Sequence, residues 1–326
     1  MQSIFKIFQS LQSQSVDSED GFNIVALPNI KYHKLGVSPN NYPMFFIKSD
    51  DNLNAKSLDS QLEFITVQFN RECQLFSNTQ QYEQGIYTII ALKTDSSDLQ
   101  AYFLEIIFVL VKQISELPKF VEVKQAVEKL INLFSKFSKP PVKTIQGLWA
   151  ELLIIEQSKN PDYLVKSWHY SPSDKFDFND GTDKLEVKST AKSKRIHAFS
   201  IEQLNPNRTS NLLIASVFAV ETGIGKSIVD LITQIEQRLK DKNLLFRLNE
   251  MVVETLGKDF EKTFDIFFDY QLAIDTLQFY QSVNIPTIEI QNIPKSVINI
   301  RFDCDLTDIK PVKKIKNKSL LHNALF

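Results

Sequence analysis

Residues 145–155 read IQGLWAELLII, a helical stretch that is apolar on nearly every side. Leu148, Leu152 and Ile155 share one face, and Trp149, Leu153 and Ile154 cover much of the rest. A helix without a polar face has to be enclosed, so the chain must build layers around it. One residue breaks the pattern. Burying the Glu151 carboxylate without a partner costs several kcal/mol. Two arrangements would satisfy it. Either it points at a metal site, as a supporting ligand or as a base for bound water, or it forms a salt bridge with a neighbouring lysine.

The clearest boundary lies just upstream, in SKPPVKT at 138–144, where two prolines stop a helix and favour extended chain. Before it, MQSIFKIFQSLQSQS reads as a short amphipathic helix. From about 22 to 95, the runs FNIVALP, NYPMFFIKS, LEFITVQF and GIYTIIALK predict an antiparallel sheet. Helices follow over 98–136, where Val123, Val127, Leu130, Ile131 and Phe134 recur at three- and four-residue spacing. After the enclosed helix, Trp168 falls in a short extended segment, and KFDFND, KLEVKST and RIHAFS read as strands. Ser200 is placed to cap a helix beginning IEQL, and NLLIASVFAV reads as an apolar strand. Two helices, at 226–240 and about 243–256, precede strand-like runs in FDYQLAIDTLQFY and SVINIRFDCDL. At 326 residues more than one core is expected. The pattern predicts a β-rich then helical region over 1–140, a core over 141–221 and an α+β region over 222–326.

Hydrophobic residues make up 43% and charged residues 23%, which describes a folded, soluble chain. A net charge of −2 excludes a polycation that holds nucleic acid by bulk charge, but not a local cleft that handles phosphate through a metal. Cys73 and Cys304 are the only cysteines, so a disulfide framework and a thiolate zinc cluster are excluded and a reducing cytoplasm is expected. The four histidines show no HExxH or HxH spacing, which speaks against a zinc hydrolase. The longest apolar run, Ile106 to Val111, is far too short to span a membrane.

The segment FDFNDGTDKLEVKST at 176–190 concentrates the chemistry. Asp180-Gly181 between two alternating runs predicts a two-residue type I′ hairpin loop. Asn179 then pairs with Thr182, Asp177 with Lys184, and Phe176 with Leu185. Alternation places Phe176, Phe178, Leu185 and Val187 on a core-facing side, apart from Asp183 at the tip, and Asp177, Lys184, Glu186 and Lys188 on the other. Asp177 and Glu186 become diagonal neighbours about 7–8 Å apart at the backbone. Two carboxylates reaching inward from there can hold a hard cation such as Mg²⁺, with oxygens about 2.0–2.1 Å away. Lys188 shares that side, where an ammonium can orient an attacking water and neutralise charge building on a phosphate.

An isolated Glu-x-Lys is more simply a solvated strand face, with cross-strand ion pairs such as Asp177–Lys184. The EVK at 122–124 has a helical setting, in which residues two apart do not share a face. The DIK at 308–310 has no upstream acidic hairpin partner and runs into Pro311. Only 186–188 combines a strand, a tight hairpin and a partner carboxylate.

A helix bearing Glu, a strand with Asp, a strand with Glu-x-Lys, then strand and helix resembles the PD-(D/E)XK nuclease superfamily. More narrowly, GLWAELLII…W…FDF…LEVKST…H-x-FS-x-EQL is similar to the bacterial family of PD-(D/E)XK motif proteins. The likeness is dense from about 145 to 205 and looser beyond, where FFDYQLAID and RFDCDL also fit. It implies an α/β fold with a restriction-endonuclease-like αβββαβ core, flanked by the N-terminal β-rich and C-terminal α+β regions. It also implies Mg²⁺- or Mn²⁺-dependent cleavage of DNA, beside other subunits of a restriction or phage-defence system. Carried over by residue, Asp177 and Glu186 become the metal ligands, joined by the Val187 carbonyl, and Lys188 the catalytic lysine. Glu151 matches the acidic residue of the first helix, and Gln203 a site glutamine.

There are departures. Asn207 stands four residues after Gln203, so a QxxxY pattern is absent, and Phe176 rather than proline precedes Asp177, which leaves Asp174 as an alternative ligand. His197 falls on the strand beside the site, where it either contacts phosphate or serves structure. A non-catalytic DNA-binding or scaffolding subunit is the alternative function; the complete Asp…Glu-x-Lys set favours the enzyme.

Two further signals carry less. TGIGKS at 222–227 opens a helix as a phosphate-binding loop would, but the position that needs the first glycine is Val220. A turn leading into a helix is the better reading. The tail IKPVKKIKNKS holds five lysines over 310–319 and reads as a solvated tail rather than a DNA-backbone contact.

Overall fold

A computed structural model describes residues 3–13, 22–50, 57–77, 82–169, 171, 174–204, 210–312 and 319–325. The chain forms two compact units, residues 1–139 and 140–326.

In the first unit, α1 (Ile4–Ser13) turns Ile4, Phe8 and Leu11 inward, as its amphipathic pattern predicts. Six strands follow: β1 (Phe22–Ala26), β2 (Lys34–Val37), β3 (Pro43–Lys48), β4 (Ser60–Gln61), β5 (Ile65–Ser77) and β6 (Tyr82–Leu92). The order is β1-β2-β3-β6-β5-β4 with antiparallel neighbours, and β1 also pairs in parallel with the far end of β5. That last pairing closes five strands into a ring, where the sequence had predicted an antiparallel sheet. The bend comes from a bulge in β5 between Gln68 and Arg71, where Asn70 takes a positive φ of 49°. Ile24, Met44, Phe46, Leu75, Tyr87 and Ile89 pack together in its core. Helices α2 (Ser97–Val111) and α3 (Phe120–Lys136) follow; the EVK at 122–124 is indeed helical, with Val123 buried and Glu122 bound to Ser115.

His33 is fully buried in this unit, and its Nδ1 accepts the Lys48 N–H at 3.2 Å. Burial pushes its pKa down to about 4. A depressed folded-state value means the unfolded chain takes up the proton first. The stability that neutral His33 provides is therefore complete above the unfolded pKa near 6.5 and is lost as pH falls toward about 4. Urea melts should show a downward slope of at most about 1.4 kcal/mol per pH unit across that window, and His33→Asn should flatten it.

In the second unit, α4 (Ile145–Gln157) starts at Thr144, whose Oγ1 accepts the Gly147 N–H at 3.1 Å. Every side chain from Leu148 to Ile155 is buried, and each fully buried Leu or Ile contributes about 1.5–3 kcal/mol. Helix α5 (Pro161–Ser167), capped by Asn160, was not foreseen from the sequence. Then come β7 (Phe178–Asn179), β8 (Lys184–Thr190), β9 (Ile196–Ser200), α6 (Ile201–Leu204) and β10 (Leu212–Phe218). Ser200 caps α6 as expected, its Oγ accepting the Gln203 N–H. After β11 (Glu221–Thr222), Ser227 and Asp230 form a reciprocal cap on α7 (Ile228–Arg238). Gly225 in the TGIGKS turn has φ 147°, and a Cβ there would meet the Phe268 carbonyl oxygen at 2.1 Å. The glycine serves close backbone approach at the start of a helix.

The remaining elements are α8 (Asn243–Leu256), β12 (Phe267–Phe268), α9 (Tyr270–Thr276), β13 (Gln278–Gln281), β14 (Arg301–Asp305) and α10 (Leu320–Asn323). FDYQLAIDTLQFY is therefore helix before strand, because Asp269 accepts the Leu272 N–H and nucleates α9. The fold is mixed α/β. A four-stranded sheet runs β13-β10-β8-β7, with β8 and β10 parallel, while β9 pairs with β14 outside it. Among the described residues no helix is long and apolar enough to cross a membrane. Residues 313–318 of the lysine-rich tail and Asn207 lie outside the described residues.

Candidate functional site

The hairpin forms, with a loop two residues longer than predicted. Phe178 pairs with Leu185 and Asn179 with Lys184, which leaves Asp180–Asp183 as the loop. Side-chain turn chemistry sets its length: Asn179 Oδ1 accepts the Gly181 N–H, and Asp180 Oδ1 accepts those of Thr182 and Asp183. Asp183 is buried, its Oδ1 taking both the backbone and side-chain N–H of Asn211 at 2.8 Å. A two-residue shift preserves side-chain alternation, but it brings Asp177 opposite Glu186 rather than diagonal to it. The ladder stops at Phe178, and Asp177 Oδ2 accepts the Val187 N–H at 2.7 Å in place of a backbone pairing. Because Phe176 lies outside the ladder, its predicted side is wrong: it packs with Ile214, the register partner of Glu186. The simple Asp177–Lys184 pair is not made either, since Lys184 Nζ donates to Ser210 at 2.6 Å.

Glu151 does reach Asp177's surroundings, through a lysine. Lys143 Nζ lies 2.6 Å from Glu151 Oε1 and 2.6 Å from Asp177 Oδ1. The other Glu151 oxygen accepts Trp168 Nε1–H at 2.8 Å and lies 3.1 Å from His169 Nε2. Both alternatives for Glu151 thus meet in one place: it has a lysine partner, and it sits beside Asp177. Burial would raise the Glu151 carboxyl, but Lys143 and His169 outweigh it and hold the pKa at about 2. Burial likewise works against the Lys143 cation, yet the two carboxylates lift it above the ordinary lysine range. Asp177 is raised, by burial first and the Glu151 charge second.

On the other side of Asp177, Glu186 Oε1 accepts from Lys188 Nζ at 2.8 Å and from Gln203 Nε2. Gln203 Oε1 in turn takes Lys188 Nζ at 3.3 Å and the Ser200 N–H at 3.0 Å. Glu186 Oε2 is buried and has no hydrogen-bond partner. Burial, then the charge of Asp177, pushes the Glu186 carboxyl up to about 8.

The structure therefore gathers Glu151, Asp177, Glu186, Lys188 and Gln203 at the edge of β8. Val187 contributes a backbone N–H to Asp177. His197 is not in the group: it is buried, its Nε2 lies 2.8 Å from Ser216 Oγ, and burial followed by Lys188 and Arg195 lowers its pKa to about 4. Asp174 is exposed in a turn, accepting the Ser171 N–H. A cleft of about 700 Å³ opens beside His169, with Lys166, Lys175 and Phe176 among its walls.

Sequence reasoning missed Lys143 and His169. Lys143 lay inside the proline boundary and read as linker, although an enclosed carboxylate nearby was a reason to look for a cation there. His169 carried no spacing signal, because its position depends on Arg247 of α8. Arg247 donates to the carbonyls of Val165, Trp168 and His169, and so holds the segment that delivers both Trp168 and His169 to Glu151. Arg247→Ala should lower the free energy of unfolding by about 1.5–3 kcal/mol, read by urea denaturation.

The donor atoms of Glu151, His169 and Asp177 lie within 4.8 Å of one another, a set that could hold a metal ion. A family model described as "Putative PD-(D/E)XK family member, (DUF4420)" matches residues 6–307. No curated protein and no solved structure matches the chain.

Proposed function

The chain belongs to that PD-(D/E)XK family, and from this premise we propose that it is a metal-dependent endonuclease that hydrolyses phosphodiester bonds in DNA. The observation that carries the reading is Glu186 Oε2, a buried carboxylate oxygen without a partner, on a side chain whose other oxygen takes Lys188 and Gln203 and which lies within reach of the Asp177 charge. Leaving such an oxygen bare is costly, and a bound cation would relieve it. The fit is good: carboxylate oxygens suit hard divalent ions such as Mg²⁺ or Mn²⁺.

In this reading Asp177 and Glu186 hold the ion, with the Val187 carbonyl as a further ligand. When bound, the ion supplies Lewis acidity and a water of lowered pKa. Lys188 would orient an attacking water and offset negative charge on the phosphate. Gln203 fixes both Glu186 and Lys188 through its two ends, which limits their rotamers. Glu151 supports Asp177 through Lys143. The cleft beside His169 carries Lys166 and Lys175 together with Asp174 and Asp180, so its walls are mixed in charge. The family resemblance further supports an αβββαβ nuclease core and a place in a restriction or phage-defence system, with other subunits as partners.

The test incubates wild type and Asp177→Asn with plasmid DNA, phage DNA and a structured RNA in Mg²⁺ or Mn²⁺. Wild-type cleavage of DNA that the variant and a chelator both abolish supports the reading. Cleavage that survives Asp177→Asn sinks the assignment. Binding without any cleavage by wild type would make the chain a non-catalytic subunit instead.

A further inference from the structure

The reaction proposed above makes no use of the cleft beside His169. Its volume of about 700 Å³ falls within the roughly 300–1,000 Å³ of small-molecule sites. Two observations say what it suits. The first is His169 itself. Its Nε2 lies 3.1 Å from Glu151 Oε2, and an ionised carboxylate only accepts, so in the neutral imidazole the proton sits on Nε2. Nδ1, at the other edge of the ring, is then an acceptor turned away from the acids, and it is buried without a partner. It calls for a donor. The second is the balance of the walls. Lys166 and Lys175 are offset by Asp174 and Asp180, so a phosphate meets no net positive field and an uncharged ligand is favoured. Phe176 gives the cleft an aromatic wall, and Asn179, whose Oδ1 takes the Gly181 N–H at 3.0 Å, brings an amide donor. The hairpin side is held in place: Asp180 Oδ2 accepts the Tyr163 hydroxyl at 2.9 Å, while Oδ1 takes the N–H groups of Thr182 and Asp183.

We infer that this cleft is a nucleobase seat. It takes one flat, uncharged heterocycle, whose N–H reaches His169 Nδ1 and whose ring acceptor takes the Asn179 amide. Nucleobases carry donors and acceptors side by side on one edge and present apolar faces, which is the combination these walls offer. Position ties the seat to the acids. Phe176 directly precedes Asp177, and the His169 N–H donates to the Asp177 carbonyl at 2.9 Å. On the reading of DNA as substrate, on which this step rests, a base drawn from the stack into the cleft brings its own phosphodiester toward Asp177 and Glu186. Unpaired or mismatched bases enter most easily, because less stacking and pairing is lost. A free nucleoside presents the same edge and is the other source of the ligand.

The test uses the full chain in chelator, so that binding is read without cleavage. Saturation-transfer NMR with the four deoxynucleosides should show transfer to the base protons of at least one, and none to deoxyribose 5-phosphate. Duplexes carrying 2-aminopurine, paired or mismatched, should brighten several-fold on binding when that base leaves the stack. Asn179→Asp keeps an oxygen for the Gly181 N–H but removes the amide donor, and should weaken both signals about tenfold. Transfer with brightening assigns the seat to a base of the DNA; transfer with a dark duplex assigns it to a free nucleoside. No transfer and no brightening, or sugar phosphate bound as tightly as the nucleosides, would overturn the inference. Those readouts are made on wild type, so they stand if Asn179→Asp fails to fold. A wild type that binds a nucleoside but cuts no DNA in metal keeps the seat and retires the nuclease. DNA cutting with neither transfer nor brightening does the reverse.

Discussion

Lys188→Ala should reduce metal-dependent DNA cleavage by about 10²–10³-fold, the usual loss when one preorganised charge-stabilising donor is removed. The lysine stands on β8 with Nζ 2.8 Å from Glu186 Oε1, and its side chain is only 17% exposed. Two effects combine in the variant. The phosphate loses a nearby cation, and Glu186 loses one of the charges that oppose its upward shift toward about 8. A more readily protonated Glu186 is a poorer metal ligand, so part of the loss should be recovered by raising the pH. Initial rates on supercoiled plasmid between pH 7 and 9 check both parts. Equal rates for wild type and Lys188→Ala would remove Lys188 from the mechanism. Lys188→Gln should lose as much, since the charge rather than the hydrogen bond is decisive.

Lys143→Met should destabilise the metal-free chain by about 3–5 kcal/mol at neutral pH, the cost of breaking a buried ion pair from one side. Glu151 and Asp177 are both buried, and Lys143 donates to each at 2.6 Å. Without it, two carboxylates face each other with Trp168, His169 and the Val187 N–H as their remaining donors. Urea melts should show the deficit shrinking as the pH falls and one carboxyl takes up a proton. Saturating Mn²⁺ should restore stability in proportion to the logarithm of its concentration over its dissociation constant. A variant as stable as wild type at pH 7 without metal would mean that Glu151 and Asp177 are solvated, not enclosed.

Much of the site was legible because local patterns decide it. The enclosed helix around Glu151, the hairpin, the Ser200 cap and the helical setting of the EVK at 122–124 follow from periodicity and turn residues close in sequence. Most of the failures have long-range causes. The turn bonds of Asn179 and Asp180 set the longer loop locally, and Asn211, 28 positions away, holds its last residue, Asp183, inside. Phe176 took the other side because the ladder ends at Phe178 and alternation does not extend past it. Strand β9 was placed correctly along the chain, but its partner, β14, lies about a hundred residues on. Lys143 and His169 have no meaning except in the company of Glu151 and Asp177, and His169 is brought there by Arg247. Sequence found Glu151 because an acid in an enclosed helix is conspicuous, and Asp177, Glu186 and Lys188 through the hairpin pattern; Lys143 and His169, which answer Glu151, were out of its reach.

The closed ring of the first unit has a consequence for recruitment. Among the described residues, β2, β3 and β6 are flanked by strands on both sides, whereas β5 meets β4 only at Thr66 and Val67 and β1 only at Leu75–Ser77 on the side away from β6. A polypeptide that docks by lengthening a sheet therefore meets the ring along the second side of β5, between those two pairings. In the second unit β13 borders its sheet over four residues, but the Val312 N–H already donates to its Phe279 carbonyl, which makes it the shorter rail.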